Sequence, residues 1–309
     1  MSRIFTLGES ILDIIFRDGE VRASRPGGSM LNTAVSLGRL GLDIYMVSEL
    51  TFDSVGKIIL KFLSDNDVDI SYVQQYNKGK TPVSIASLDE HNDANYTFFR
   101  ELPPDRLPGN FPKLKKGDIL LFGSFYALDP EINEKVRVFV REAKENGTFI
   151  IYDPNIRKNH LGTKDLWMPF LEENLRMADL VRGSDEDFMN VFNLKDGIKI
   201  YDHLQNYGCD KLVLTYGSKG ADYFAPGIRI HKDVRQIKVV STIGAGDSFN
   251  AGLICALLKP AVLSGGNYRL DNELVNVMLG LGIEFASEVC SGLDNYISRE
   301  LAQRVRKGF

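Results

Sequence analysis

The chain has 309 residues, 44% of them hydrophobic and 25% charged, with a formal net charge of −4, which is enough to bury a core in one large domain or two modest ones. The acidic balance argues against a nucleic-acid backbone as the main partner, and no run approaches the ~20 apolar residues of a membrane helix. Three widely spaced cysteines (Cys209, Cys255, Cys290) form neither a disulfide framework nor a CxxC metal pair, and the N-terminal apolar run is too short for a signal peptide, so a cytoplasmic protein is expected.

In chain order, residues 4–7, 44–47, 119–122, 149–152, 180–181 and 212–214 are short apolar runs that read as buried strands. Residues 29–40, 54–63, 130–145 and 198–206 have helical spacing between them, with Gly41 and Gly147 as helix stops. Strand and helix alternating at this pace predict a largely parallel sheet with helices on both faces, the α/β class. Two stretches break the rhythm. Residues 14–25 read as a hairpin around Asp18-Gly19, and residues 82–100 as two extended arms around a polar turn. They can form either a small separate sheet, a candidate lid, or an extension of the main sheet.

Five segments carry chemistry. The first is Ser241-Thr-Ile-Gly-Ala-Gly-Asp-Ser-Phe-Asn-Ala-Gly252, after the apolar residues 237–240. It reads as strand, glycine turn and helix start, where backbone N–H groups and the helix dipole favour an anion. Asp247 would then sit beside the anion, placed to take a proton from an attacking hydroxyl. Taken alone, a Gly-Ala-Gly-Asp turn reads better as a capped helix start. The spacing fits neither a dinucleotide fingerprint, because Phe249 stands where glycine is needed, nor a P-loop.

The second segment, Gly8-Glu-Ser-Ile-Leu-Asp13, puts Asp13 just beyond the first strand, where open α/β sheets bind ligands. The third, Pro26-Gly-Gly-Ser-Met-Leu-Asn-Thr-Ala34, sets a double glycine before a helix, with Asn32 facing either a site or solvent. The fourth, Asp153-Pro-Asn-Ile-Arg157, offers a guanidinium fork suited to phosphate, or plain turn chemistry. The fifth, Thr215-Tyr-Gly-Ser-Lys-Gly220, is either a phosphate cradle or a hairpin turn.

In this order the five segments resemble the ribokinase-like (PfkB) carbohydrate kinase family, from Ile4 to about Cys290. The resemblance implies a three-layer α/β/α kinase domain over residues 1–309, with a lid from about residues 13–25 and 82–102. It also implies transfer of the ATP γ-phosphoryl to a sugar hydroxyl with Mg²⁺. Asp247 would be the base, and Gly244, Ala245 and Gly246 the anion hole. Asp13, Gly28 and Asn32 would hold the sugar, with Arg157 close to the transfer site. Thr215, Gly217 and Gly246 would meet ATP. Where the family commonly has Asn-x-x-Glu near the metal, Arg182-Gly-Ser-Asp-Glu-Asp187 aligns Ser184 and Asp187 instead, with Glu186 competing for the metal-side role. Ser241 replaces the family's aspartate, which puts monovalent-cation activation in doubt.

The expected activity is fructokinase-like. Gly-Gly-Ser-Met-Leu-Asn also leans towards 2-keto-3-deoxygluconate kinases, whose acid substrate would want Arg100 and Tyr96; ribose or a nucleoside is a further alternative. Outside the class stands a non-catalytic sugar or nucleotide sensor. A homodimer through the lid strands is expected as well.

Overall fold

The computed structural model describes residues 2–88, 94–107, 109, 111–156, 163–258, 263–264 and 267–307. Strand β1 (Ile4–Leu7) leads through β2 (Ile11–Arg17) and β3 (Glu20–Gly27) into helix α1 (Ser29–Arg39). β4 (Ile44–Thr51), α2 (Ser54–Asp65), β5 (Asp69–Tyr76), β6 (Lys80–Leu88) and β7 (Ala94–Glu101) follow. The chain then alternates β8 (Ile119–Gly123), α3 (Asn133–Glu145), β9 (Phe149–Asp153), α4 (Lys164–Met177) and β10 (Leu180–Ser184). Helices α5 (Asp185–Phe192) and α6 (Gly197–Gln205) precede β11 (Leu212–Thr215) and the pair β12 (Ala221–Ala225) and β13 (Ile228–Lys232). Helices α7 (Ala245–Leu257), α8 (Asn272–Cys290) and α9 (Arg299–Arg306) complete the fold.

The main sheet has nine strands in the order β13-β12-β11-β10-β9-β8-β1-β4-β5. From β11 to β5 every pairing is parallel, and β12 and β13 close one edge antiparallel. Successive side chains of a strand point to opposite faces, so an apolar run without alternation needs cover on both. Ile119 and Leu121 pack on one side with residues of α1, α7 and α8, and Leu120 and Phe122 on the other with residues of α3, α4 and α6. The sheet is therefore sealed between two helical layers, and its polar chemistry is confined to the strand ends.

A second, four-stranded sheet has the order β3-β2-β6-β7. Its β2–β3 hairpin turns at Asp18 (φ 54°) and Gly19 (φ 75°), the left-handed pair that a two-residue turn of this hand requires. The sheet is separate from the main one, which decides between the two readings left open by residues 82–100.

Two expected elements differ. The helix foreseen over residues 130–145 starts at Asn133, because Asp129 first turns the chain: its carbonyl accepts from Ile132 and Asn133, and its carboxylate from Glu131 N. Residues 237–240 are not a strand. Val240 N instead bonds the Cys290 carbonyl at 2.8 Å, at the end of α8, and Ile237, Val239 and Val240 stay exposed. Ile237 and Val239 line a cleft rather than extend the sheet.

Candidate active site

The ends of β9, β10 and β11 and the starts of α1, α5 and α7 meet at the carboxyl edge of the parallel strands, where such sheets bind ligands. Helix α7 opens at Gly244, whose φ of 79° is left-handed. A Cβ there would lie 2.6 Å from Asn295 Cα and closer still to its carbonyl oxygen, so only glycine fits. The amide of Gly246 lies in the first turn of α7, where a helix offers no carbonyl partner. Ala245 N is 3.3 Å from the Thr242 carbonyl.

Asp247 is the third residue of α7 and is buried. Its Oδ1 accepts from Ser29 Oγ at 2.6 Å and its Oδ2 from Asn32 Nδ2 at 2.8 Å, while its carbonyl accepts from Thr33 Oγ1 at 2.9 Å. Helix α1 thus clamps the carboxylate from the side of the small sheet. Asn32 turns to the site, not to solvent, and its buried Oδ1 has no donor within reach among the described residues. Such an acceptor is costly unless a ligand hydroxyl satisfies it.

Asp13 lies on β2, with Ser84 of β6 donating to its Oδ1. A side chain at Gly27 would run into this carboxylate, and one at Gly28 (φ 117°) into the Glu9 carbonyl. Burial pushes the Asp13 carboxyl up to about 6, with Glu9 and Asp247 adding repulsion and the Ser84 hydroxyl opposing it. Arg100 of β7 is already matched: it pairs with Glu9 and, at 3.0 Å, with Asp129. Asp129 also takes Arg106 at 2.6 Å, and Arg106 is buried against Glu49. Tyr96 pairs with Ala86 across β6 and β7; its side chain, like all of Arg157, lies outside the described residues.

On the other side of Asp247 opens a cleft of about 590 Å³. Thr215, Gly217, Gly244, Ala245, Gly246 and Asp247 line one end, and Ile237, Val239, Ile283, Ala286 and Cys290 form an apolar wall. The Thr215–Gly220 turn does join two antiparallel strands, as a hairpin should, and also lines this cleft. Asp187 caps α5: Oδ2 accepts from Ser184 N and Oγ, and Oδ1 from Ile156 N at 2.8 Å. Glu186, one residue before, is exposed at the cleft. Ser241 Oγ accepts from Ile243 N at 3.2 Å.

Residues that the sequence did not single out are Ser29, Ser84, Asn250 and Arg182. The last had a visible signal, a charged residue inside the buried run Leu180-Val181-Arg182-Gly183, since arginine is rarely buried unless paired. Ser29 and Ser84 had none, because their roles depend on which strand or helix lies opposite.

A carboxylate clamped at a glycine-led helix start, with the unsatisfied Asn32 Oδ1 on one side and a nucleotide-sized cleft on the other, is an arrangement for moving a phosphoryl group onto an alcohol. Comparison agrees with this. Residues 1–274 match the pfkB family carbohydrate kinase, and the chain belongs to that family. Its sequence is fructokinase-like: it is 30% identical over 270 residues to a fructokinase from Rhizobium leguminosarum bv. trifolii, covering 84% of this chain and 81% of that protein. Among solved structures, aminoimidazole riboside kinase from Salmonella enterica, complexed with aminoimidazole riboside and an ATP analog, superposes with a TM-score of 0.85 at 19% identity, covering 99% and 100% of the two chains. A double-mutant fructokinase from Vibrio cholerae O395, bound to fructose, ADP and a potassium ion, gives 0.84 at 19% identity over 98% of each chain. At those identities the structures speak for the ribokinase-like fold.

Proposed function

We propose that the protein transfers the γ-phosphoryl of ATP to a hydroxyl of a free neutral sugar, with fructose the expected acceptor. The observation that carries this is the clamp on Asp247, held by Ser29 and Asn32 at the Gly244 helix start. Asp247 takes the proton as the sugar oxygen attacks the γ-phosphorus, the bond to ADP breaks, and the backbone of Gly244, Ala245 and Gly246 at the helix start faces the charge on the transferred group. Phosphoryl transfer asks mainly for positioning and charge stabilisation, which one carboxylate and a helix start supply. Asp13, Gly28 and Asn32 hold the sugar, and Thr215 and Gly217 lie against ATP phosphates.

Mg²⁺ would be held by Glu186 and Asp187 together with phosphate oxygens and water, neutralising charge on the β- and γ-phosphates. Among the described residues no group of three His, Cys, Asp or Glu could hold a metal alone. That suits an ion which binds largely through its nucleotide. The small sheet is read as a lid over the sugar. Its edge strands β3 and β7 would pair two subunits, which light scattering at assay concentration tests. A cytoplasmic location fits three free cysteines, and no described helix is long and apolar enough to cross a membrane.

Arg100 favours a neutral sugar over 2-keto-3-deoxygluconate, because two carboxylates already occupy its guanidinium. A coupled ADP assay over fructose, ribose, a nucleoside and 2-keto-3-deoxygluconate, with and without potassium, should therefore show fructose turned over fastest. Ser241 offers a cation no charge, so potassium should leave the rate unchanged. Binding across the panel without ADP release would identify a sensor instead.

An ionised carboxylate accepts sugar hydroxyls at both oxygens and more strongly than the protonated acid, which turns one oxygen into a donor. Since Asp13 sits at about 6, kcat/KM for the sugar should fall as pH drops through that value. Asp13→Asn should be slower throughout and lack this acid limb. A limb unchanged in the variant would assign it to another group.

A further inference from the structure

The cleft beside Asp247 is lined by four carboxylates (Asp185, Glu186, Asp187, Asp247) and two cations, Arg182 and Arg235. A nucleoside triphosphate brings further negative charge, so the position of those cations matters. Arg235 is exposed, whereas Arg182, at the centre of β10, is only 7% exposed and reaches the end of the cleft where Gly246 lies. A Cβ on Gly246 would come within 2.8 Å of Arg182 Nη1, which places the guanidinium directly against the helix start. Nη1 donates to Asp153 Oδ2 at 3.0 Å, Nη2 donates to Thr215 Oγ1 at 3.1 Å, and the group lies 5.4 Å from the Phe249 ring centroid.

Two features point beyond a structural ion pair. Guanidinium carries five N–H donors, and the recorded side-chain bonds use two; the buried Nε has no partner among the described residues. A buried ion pair is also a poor source of stability, since apolar replacements often do as well. Here the pair is built with care: Asn250 Nδ2 holds Asp153 Oδ2 at 2.6 Å, and Asp153 Oδ1 accepts from Asn155 N. Burial pushes the Asp153 carboxyl up, and the Arg182 guanidinium opposes that shift.

We propose that Arg182 is a further catalytic residue, whose guanidinium binds phosphate oxygens of the nucleotide and stabilises charge on the phosphoryl group passing beside Gly246. Asp153 is then a positioning residue that fixes the fork. This rests on the reading of the cleft as the ATP site.

The test uses Arg182→Ala and the double variant Asp153→Asn/Arg182→Ala, which leaves no uncompensated buried charge and so keeps the fold. Steady-state kinetics, sugar affinity measured calorimetrically without nucleotide, and rescue by added guanidinium chloride at millimolar concentration are the readouts. Both variants should lose about 10²–10³-fold in kcat and show a raised KM for ATP, with unchanged sugar affinity. Guanidinium should restore part of the rate in a saturable way. Turnover of either variant close to wild type, or a loss that guanidinium does not relieve, overturns the proposal. Wild-type protein that makes no ADP with any sugar overturns the kinase reading beneath it, and this inference with it.

Discussion

Asp247→Asn should lower kcat by about 10²–10⁴-fold, the range a positioned general base contributes, while leaving the fold and both KM values nearly unchanged. The variant is close to isosteric. Its amide oxygen can still accept from Ser29 Oγ, and Asn32 can reverse its own amide to accept from the new NH₂ group, so the α1–α7 clamp survives. What it cannot do is take a proton. Stability should change only by the loss of a negative charge at the helix start, about 0.3–1 kcal/mol, read as a small shift in a thermal melt. A coupled ADP assay showing turnover within a few-fold of wild type would move the base elsewhere.

The site was legible in the sequence where backbone chemistry alone dictates it. Gly244 and Gly28 announce themselves because their left-handed backbone excludes other residues, and both stand at helix starts in the structure. The buried strands were legible for a related reason: with helices on both faces, their apolar runs have no alternation to mislead. The same signal failed at residues 237–240, where Ile237 and Val239 serve the wall of a cleft. It also missed β5, an edge strand whose Asp69-Ile-Ser-Tyr-Val-Gln-Gln-Tyr76 mixes polar and apolar residues. Asn32 illustrates a different limit. Helical spacing placed it off the apolar stripe of α1, and only the arrival of α7 made that face an interior one. Arg100 shows the converse, a residue free on paper to meet a carboxylate that the fold engages through Glu9 and Asp129.

The two glycines flanking Ala245 should respond very differently to the same added methyl group, and the contrast tests the anion hole independently of Asp247. At Gly244 the new Cβ meets three backbone atoms of Asn295, within 2.6 and 2.7 Å of its Cα and C, and it must do so at a φ of 79°. Backbone on both sides leaves nothing to yield except the start of α7 itself. Gly244→Ala should therefore shift the amides that face the phosphoryl group and cost about 10²–10³-fold in kcat, comparable to losing an oxyanion-hole donor. At Gly246 the methyl meets the Arg182 guanidinium instead of backbone, with Nη1 at 2.8 Å and Nη2 at 3.2 Å. Asp153 and Thr215 hold that guanidinium, but a side chain yields a few tenths of an ångström more readily than backbone, so Gly246→Ala should lose less than Gly244→Ala, about tenfold, chiefly through a higher KM for ATP as Arg182 is pushed from its place. Circular dichroism should show both variants folded, because the added methyls disturb one helix start and leave the sheet untouched. A Gly244→Ala variant with kcat within a few-fold of wild type would mean that the helix start is not the anion hole, and that backbone geometry at Gly244 serves only to pack α7 against the loop at Asn295.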